Sequence, residues 1–309
     1  MIPPSGLPGL AAAGVLREHV PLAPLTTYRF GGPARWMLDA ESEADVVRLA
    51  EALGEEPERV PVIVLGRGSN VVISDAGFPG VVIRPGSGLA GIDLRGDGTV
   101  AAGAAAALPM VARRTAEAGR GGLEFFVGIP GSVGGAVCMN AGCHGSETAQ
   151  WLRRARIVDL AAATVGESTP ADLEMSYRHS TVRAHEVVVS AVFDTVLRPR
   201  AEAEARIREI TRWRRDHQPG GTLNAGSVFK NPEGDAAGRI IDACGLKGYR
   251  VGGVSVSERH ANFFVAGEGA TAADLHRLVH RVRALVEERC GVVLTPEIRF
   301  VGPFAAEGE

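Results

Sequence analysis

Pro61-Val-Ile-Val-Leu-Gly-Arg-Gly-Ser-Asn-Val-Val-Ile-Ser74 places an apolar run on either side of a glycine-rich turn. Pro61 to Leu65 reads as a buried strand and Val71 to Ser74 as a second one, so the order is strand, glycine loop, strand. A doubly wound dinucleotide fold needs a glycine loop that opens a helix, with a third glycine three residues after the second. Val71 occupies that third position. The stretch therefore argues against the doubly wound fold, yet it keeps a loop whose backbone can approach a ligand.

Working outward, Ser42 followed by Asp45 has the spacing of a capping box and predicts a helix to about Leu53. Strands are expected near Val81 to Arg84 and Thr99 to Ala102. Pro109 to Ala118, with proline at its start and Gly119 just past its end, predicts a helix. From Gly121 to Gly145 glycines are too dense for an ordinary helix or strand interior, so loop backbone is expected there. Arg156 to Leu160 and Glu186 to Leu197 read as strands, Ala201 to Asp216 as a charged helix, and Arg198-Pro-Arg200 as a boundary near residue 199. Beyond it come a loop at Gly220 to Pro232, a helix near Ala236 to Cys244 stopped by Gly245, and a strand near Asn262 to Val265. Thr271 with Asp274 then caps a long helix, in which Leu275, Leu278, Val279, Val282, Leu285 and Val286 follow helical spacing up to Gly291. Closing strands broken by Pro296 are expected over Val292 to Val301, which makes this last part a small α+β unit.

At 309 residues the chain exceeds the usual single-domain size, so two or three units are expected. Its 33 basic and 36 acidic side chains give a net charge of -3 without a block of like charge, which argues against a nucleic-acid or membrane-surface partner. The opening MIPPSGLPGL has no basic segment followed by an apolar run, and no apolar stretch is long enough to span a bilayer. A soluble, unexported, cytoplasmic protein is the expectation. Cys138, Cys143, Cys244 and Cys290 form no CxxC pair, which suits a reducing compartment and reads as small buried hydrophobes; no metal site is expected.

The chemistry is concentrated in Gly66-Arg-Gly-Ser-Asn70, Gly128-Ile-Pro-Gly-Ser-Val-Gly-Gly135 and Met139-Asn-Ala-Gly-Cys-His-Gly145. Backbones without Cβ atoms can aim successive N–H groups at an anion, and Ser69, Asn70 and Ser132 add neutral donors. Taken singly, each loop reads as a tight turn. Two in one half-chain, followed by Met139 to Gly145, point to a bound dinucleotide held in another manner than the doubly wound one.

With these motifs the chain resembles the UDP-N-acetylenolpyruvoylglucosamine reductases, whose fold is the vanillyl-alcohol-oxidase type of FAD-binding fold. The likeness runs from Thr26-Thr-Tyr-Arg-Phe-Gly-Gly32 to Pro296-Glu-Ile-Arg-Phe300. Between them stand the glycine loops, Tyr177-Arg178, Gly226-Ser-Val-Phe-Lys-Asn-Pro232, Gly245-Leu-Lys-Gly248 and His260-Ala-Asn-Phe263. The resemblance implies an α+β architecture: FAD-binding subdomains at 1–86 and 87–199, and a smaller α+β substrate-binding domain at 200–309. It implies non-covalent FAD, held by Gly66, Gly68, Ser69, Asn70, Ile129, Gly131, Ser132, Gly134, Gly135, Asn140 and Gly142. It implies NADPH as co-substrate, sharing one site with the enolpyruvyl ether of a UDP-amino sugar, in peptidoglycan precursor synthesis.

The family's catalytic positions fall on Arg178, Ser227 and Glu297, and Tyr177, Lys230 and Asn231 lie on its substrate side. Arg178 would hold the substrate carboxylate and stabilise charge building on it, Glu297 would orient the arginine or a polar group of the substrate, and Ser227 would give a proton. On residue type alone the bland readings stand: an ion-pair arginine, a turn serine, a solvated carboxylate. His260 reads as a structural histidine.

The stretch from Tyr177 to His185 leaves no room for the substrate-capping tyrosine loop of many relatives, which places the chain in the branch without it. Cys143, Ser255 and Ala266 depart from residues common in the family. Two other readings remain at this stage: a flavin oxidase or dehydrogenase of the same fold, and a non-catalytic flavin-binding protein.

Overall fold

The computed structural model describes residues 6–56 and 58–305. The residues before Gly6, on which part of the unexported reading rests, lie outside that range. The chain folds into two compact units. One contains residues up to His19, Trp36–Arg67 and Gly80–Trp213; the other contains Val20–Arg35, Gly68–Pro79 and the chain from Arg214 onward.

The first unit carries a four-stranded sheet in the order Leu16–Pro21, Pro33–Ala40, Phe78–Pro85, Val62–Val64, the last two strands parallel. It also carries a five-stranded antiparallel sheet in the order Thr164–Ser168, Leu152–Asp159, Glu186–Phe193, Val100–Gly103, Ile92–Leu94. Alternation along the strands sends side chains to both faces of this second sheet. Ala155, Ile157, Val188, Ala191 and Phe193 join one core with the helix Leu108–Glu117; Val158, Val187 and Val189 join another with the helix Glu43–Gly54. Each fully buried valine or leucine contributes about 1.5–3 kcal/mol. The capping box expected at Ser42 is present: Asp45 N donates to Ser42 Oγ at 3.3 Å and Ser42 N to the Asp45 carboxylate at 2.8 Å.

The expectation of loop backbone throughout Gly121 to Gly145 is corrected. Glu124–Gly128 forms a 3-10 turn and Val133–Met139 an α-helix. Glycine in a helix costs about 1 kcal/mol against alanine, but burial of Val133, Ala136 and Val137 outweighs that cost.

The second unit has its own core. The long helix Ala272–Cys290 lays Leu275, Leu278, Val279, Val282 and Val286 against Phe229, Phe264, Tyr28 and Phe30. Its Thr271/Asp274 capping box and the left-handed Gly291 at its end (φ 68°) match the expected signals. The Tyr28 hydroxyl donates to the Phe264 carbonyl at 3.1 Å, and burial pushes the phenol pKa up. A small antiparallel sheet orders Arg250–Val251, Val254–Val256 and Phe264–Ala266. Within the expected closing segment only Arg299–Val301 is a strand, and it pairs in parallel with Val71–Ile73.

The cysteine expectation also changes. Cys244 and Cys290 are paired as a disulfide between the ends of the helices Ala237–Ala243 and Ala272–Cys290, while Cys138 and Cys143 are half-buried outside it and Cys143 Sγ donates to Phe125 O at 3.2 Å. The two helices pack in one core, which brings their C-terminal ends together. No helix among the described residues is long and apolar enough to cross a membrane.

Candidate functional site

In the first unit the two glycine loops meet. A Cβ on Gly66 would stand 2.5 Å from Ser132 Oγ, so a side chain there would have to displace that hydroxyl. Ser132 is buried while Gly66, Pro130 and Gly135 are exposed, and Ile129, Gly131 and Gly134 are half-buried. Val133 N donates to Ala106 O and Gly134 N to Ala104 O, which seats the helix start on the turn after the strand Val100–Gly103. The result is a backbone surface free of bulky side chains beside a serine hydroxyl, a chemistry that fits a dinucleotide pyrophosphate.

Asn140 ends the helix Val133–Met139 in the left-handed region (φ 40°) and is fully buried. Its Nδ2 donates to Ser176 O at 2.8 Å and its Oδ1 accepts from Ala149 N at 2.9 Å. Ser176 and His179 close a tight turn through both backbone hydrogen bonds, 3.1 and 3.0 Å, with Tyr177 and Arg178 at its tip. Arg178 has φ 53°; its Nη2 donates to Gly142 O at 2.7 Å, and its guanidinium carbon lies 4.9 Å from the Tyr177 ring centroid.

In the second unit Gly68 (φ 63°) nestles against Leu25 and accepts a hydrogen bond from Thr27 N at 3.1 Å. Half-buried Ser69 follows it. Asn70 Nδ2 donates to Glu297 O at 3.2 Å, and Arg299 N donates to Asn70 O at 3.0 Å. Ser227 and Glu297 lie on neighbouring extended segments: Glu297 N donates to Val228 O at 2.7 Å and Lys230 N to Thr295 O at 2.9 Å. Buried Asn262 fixes the serine segment by exchanging two side-chain hydrogen bonds with the Phe229 backbone. The segments that carry Ser227 and Glu297, two of the three expected catalytic residues, are thus neighbours through backbone pairing, and Ser227 itself pairs with Phe263.

The Asn231 carboxamide accepts from Ala237 N at 3.0 Å, at the start of the helix Ala237–Ala243. His260 accepts from Asn262 N through Nδ1 at 3.3 Å and stacks edge-on with Phe263; burial lowers its pKa and favours the neutral ring. A groove of about 370 Å³ in this unit is lined by Thr222, Arg250, Ser255, Ser257, Arg259 and Val265 among others. The two arginines escaped the sequence reading because neither sits in a motif; their one signal is a cation on each side of the Gly252-Gly253 turn. Among the described residues Asp159, His185 and Glu186 form one group able to hold a metal ion, at the surface end of paired strands.

Residues 35–167 match the family model described as FAD binding domain, and residues 218–301 match that of the UDP-N-acetylenolpyruvoylglucosamine reductase C-terminal domain. The crystal structure of UDP-N-acetylenolpyruvylglucosamine reductase from Thermus caldophilus superposes with a TM-score of 0.81 at 36% identity, over 93% of this chain and 100% of that one. The fold is therefore the vanillyl-alcohol-oxidase type of FAD-binding fold with a smaller α+β substrate domain, and the protein is a flavoprotein oxidoreductase. The UDP-N-acetylenolpyruvoylglucosamine reductase of Phenylobacterium zucineum is 43% identical over 94% of this chain and 97% of its own length. That of Rubrobacter xylanophilus is 44% identical over 91% and 94%. The chain belongs to the UDP-N-acetylenolpyruvoylglucosamine reductase family.

Proposed function

We propose that the chain reduces the enolpyruvyl ether of UDP-N-acetylglucosamine to UDP-N-acetylmuramate, with NADPH as reductant and non-covalent FAD as carrier, in peptidoglycan precursor synthesis in the cytoplasm. The identity of 43% over 94% of the chain carries this reading. The backbone pairing of the Ser227 and Glu297 segments supports it. FAD is assigned to Gly66, Gly68, Ser69, Asn70, Ile129, Gly131, Ser132, Gly134, Gly135 and Gly142 and to the backbone of Asn140, whose carboxamide is taken by Ser176 O and Ala149 N. Regions 1–86 and 87–199 serve the flavin and region 200–309 the sugar nucleotide. When bound, the flavin supplies hydride to the terminal vinyl carbon of the substrate.

The chain's own residues do the rest. Arg178 holds the substrate carboxylate with its guanidinium and stabilises the enolate charge that grows on it. Glu297 orients a polar group of the substrate. Ser227 gives its hydroxyl proton to the carbon next to the carboxylate, a transfer that becomes feasible once the enolate charge is partly neutralised by the arginine. Tyr177, Lys230 and Asn231 stand on the substrate side. NADPH and the sugar nucleotide use one pocket in turn. The deciding experiment is anaerobic: NADPH bleaches the yellow protein, and the enolpyruvyl nucleotide restores the colour. A bleached protein that the nucleotide leaves bleached would overturn the reading.

A further inference from the structure

We propose that Asn140 is a positioning residue for the reaction: through its buried carboxamide it fixes the turn that presents Arg178. This rests on the catalytic reading of Arg178 given above.

The segment Cys138 to Gly142 acts as a template for the turn. Ser180 Oγ donates to Cys138 O at 2.9 Å, Asn140 Nδ2 donates to Ser176 O at 2.8 Å, and Arg178 Nη2 donates to Gly142 O at 2.7 Å. Three residues of this segment, each two apart, thus hold three residues of the turn segment. Asn140 is the middle one of the three and the one member with no exposed surface.

Its chemistry is specific. The carboxamide must donate to Ser176 O and accept from Ala149 N at the same time, which neither Asp nor Leu can do. Its backbone lies in the left-handed region, where asparagine is favoured among residues with side chains. Arg178 shares that sparsely populated conformation, which persists only where the surroundings impose it. Both ends of the Asn140 carboxamide are engaged within the protein, so its contribution to the site runs through the turn rather than through direct side-chain contact with the flavin.

The test compares Asn140→Asp and Asn140→Gly with Arg178→Ala and with the double variant Arg178→Ala/Asn140→Asp. Asn140→Asp keeps the acceptor and size; Asn140→Gly keeps the backbone conformation. Both should retain FAD and be bleached by NADPH, while reoxidation by the enolpyruvyl nucleotide slows about 100-fold, the scale of an ångström-level misplacement. The fall should lie in kcat more than in KM. Adding Asn140→Asp to Arg178→Ala should change the rate less than about twofold, because the group it positions is already gone. Additive losses in the double variant would overturn the proposal, as would normal reoxidation in both Asn140 variants. Loss of FAD or of folding in both would also overturn it, assigning Asn140 to the cofactor or the fold instead. Normal reoxidation by Arg178→Ala itself would sink the catalytic reading of Arg178, a separate outcome.

Discussion

Under the proposed mechanism Ser227 offers the sharpest division of labour among the residues, because its proton would be needed only after the flavin has been reduced. Ser227→Ala should therefore be bleached by NADPH at close to the normal rate, while reoxidation by the sugar nucleotide slows about 10²–10⁴-fold, the range for loss of a positioned acid. Stopped-flow traces of the two half-reactions decide it, and unchanged reoxidation would remove Ser227 from the mechanism. Gly66 makes a different prediction. Gly66→Val should lower the FAD released per chain well below one, since its side chain would push into Ser132 Oγ and separate the two loops; the absorbance of heat-released flavin measures this. The glycine loops were legible in the sequence as motifs, whereas the three positions proposed as catalytic were reached only through the family resemblance. The work of Asn140 and Asn70 was not, because a carboxamide that binds the backbone of a remote segment leaves no local pattern; Asn70 and Glu297 stand 227 residues apart.

Elements were legible where local chemistry decides them. The Ser42/Asp45 and Thr271/Asp274 boxes and Gly291 sit where the helices begin and end. The helix Val133–Met139 was missed because its glycines argue against a helix, and only packing onto Ala104 and Ala106 reveals why it forms. The long helix of the second unit yields a stability prediction. Burial alone would raise the Asp274 pKa, but hydrogen bonds from Gly253, Thr271 and Arg277 outweigh it and hold the carboxyl below its ordinary value. A depressed carboxyl contributes stability that is present above the unfolded value near 3.8 and is lost as pH falls through the lower folded value. Asp274→Asn should accordingly flatten the acid limb of the stability profile. Asp274→Ala should cost about 1–2 kcal/mol at neutral pH, read from the urea midpoint.

For the molecule as a whole, the sequence offers one family of dinucleotide loops and two nucleotide reactants. Steady-state kinetics should be ping-pong, with parallel double-reciprocal lines and each substrate inhibiting competitively against the other at high concentration; intersecting lines would contradict a shared pocket. The general architecture was reached through the family resemblance, and the pairing of Val71–Ile73 with Arg299–Val301 could not be read at all, since parallel partners so distant share no turn. That pairing bears on how the protein is made. Tyr28, Phe30 and Val72 are translated well before the helix Ala272–Cys290 that they pack against. At about 5–20 residues per second they wait many seconds for it, uncovered and open to aggregation or to a chaperone. Glu297 is translated after the glycine loops of the first unit, so under the proposed roles a nascent chain released before it would carry those loops without the carboxylate and would be catalytically silent.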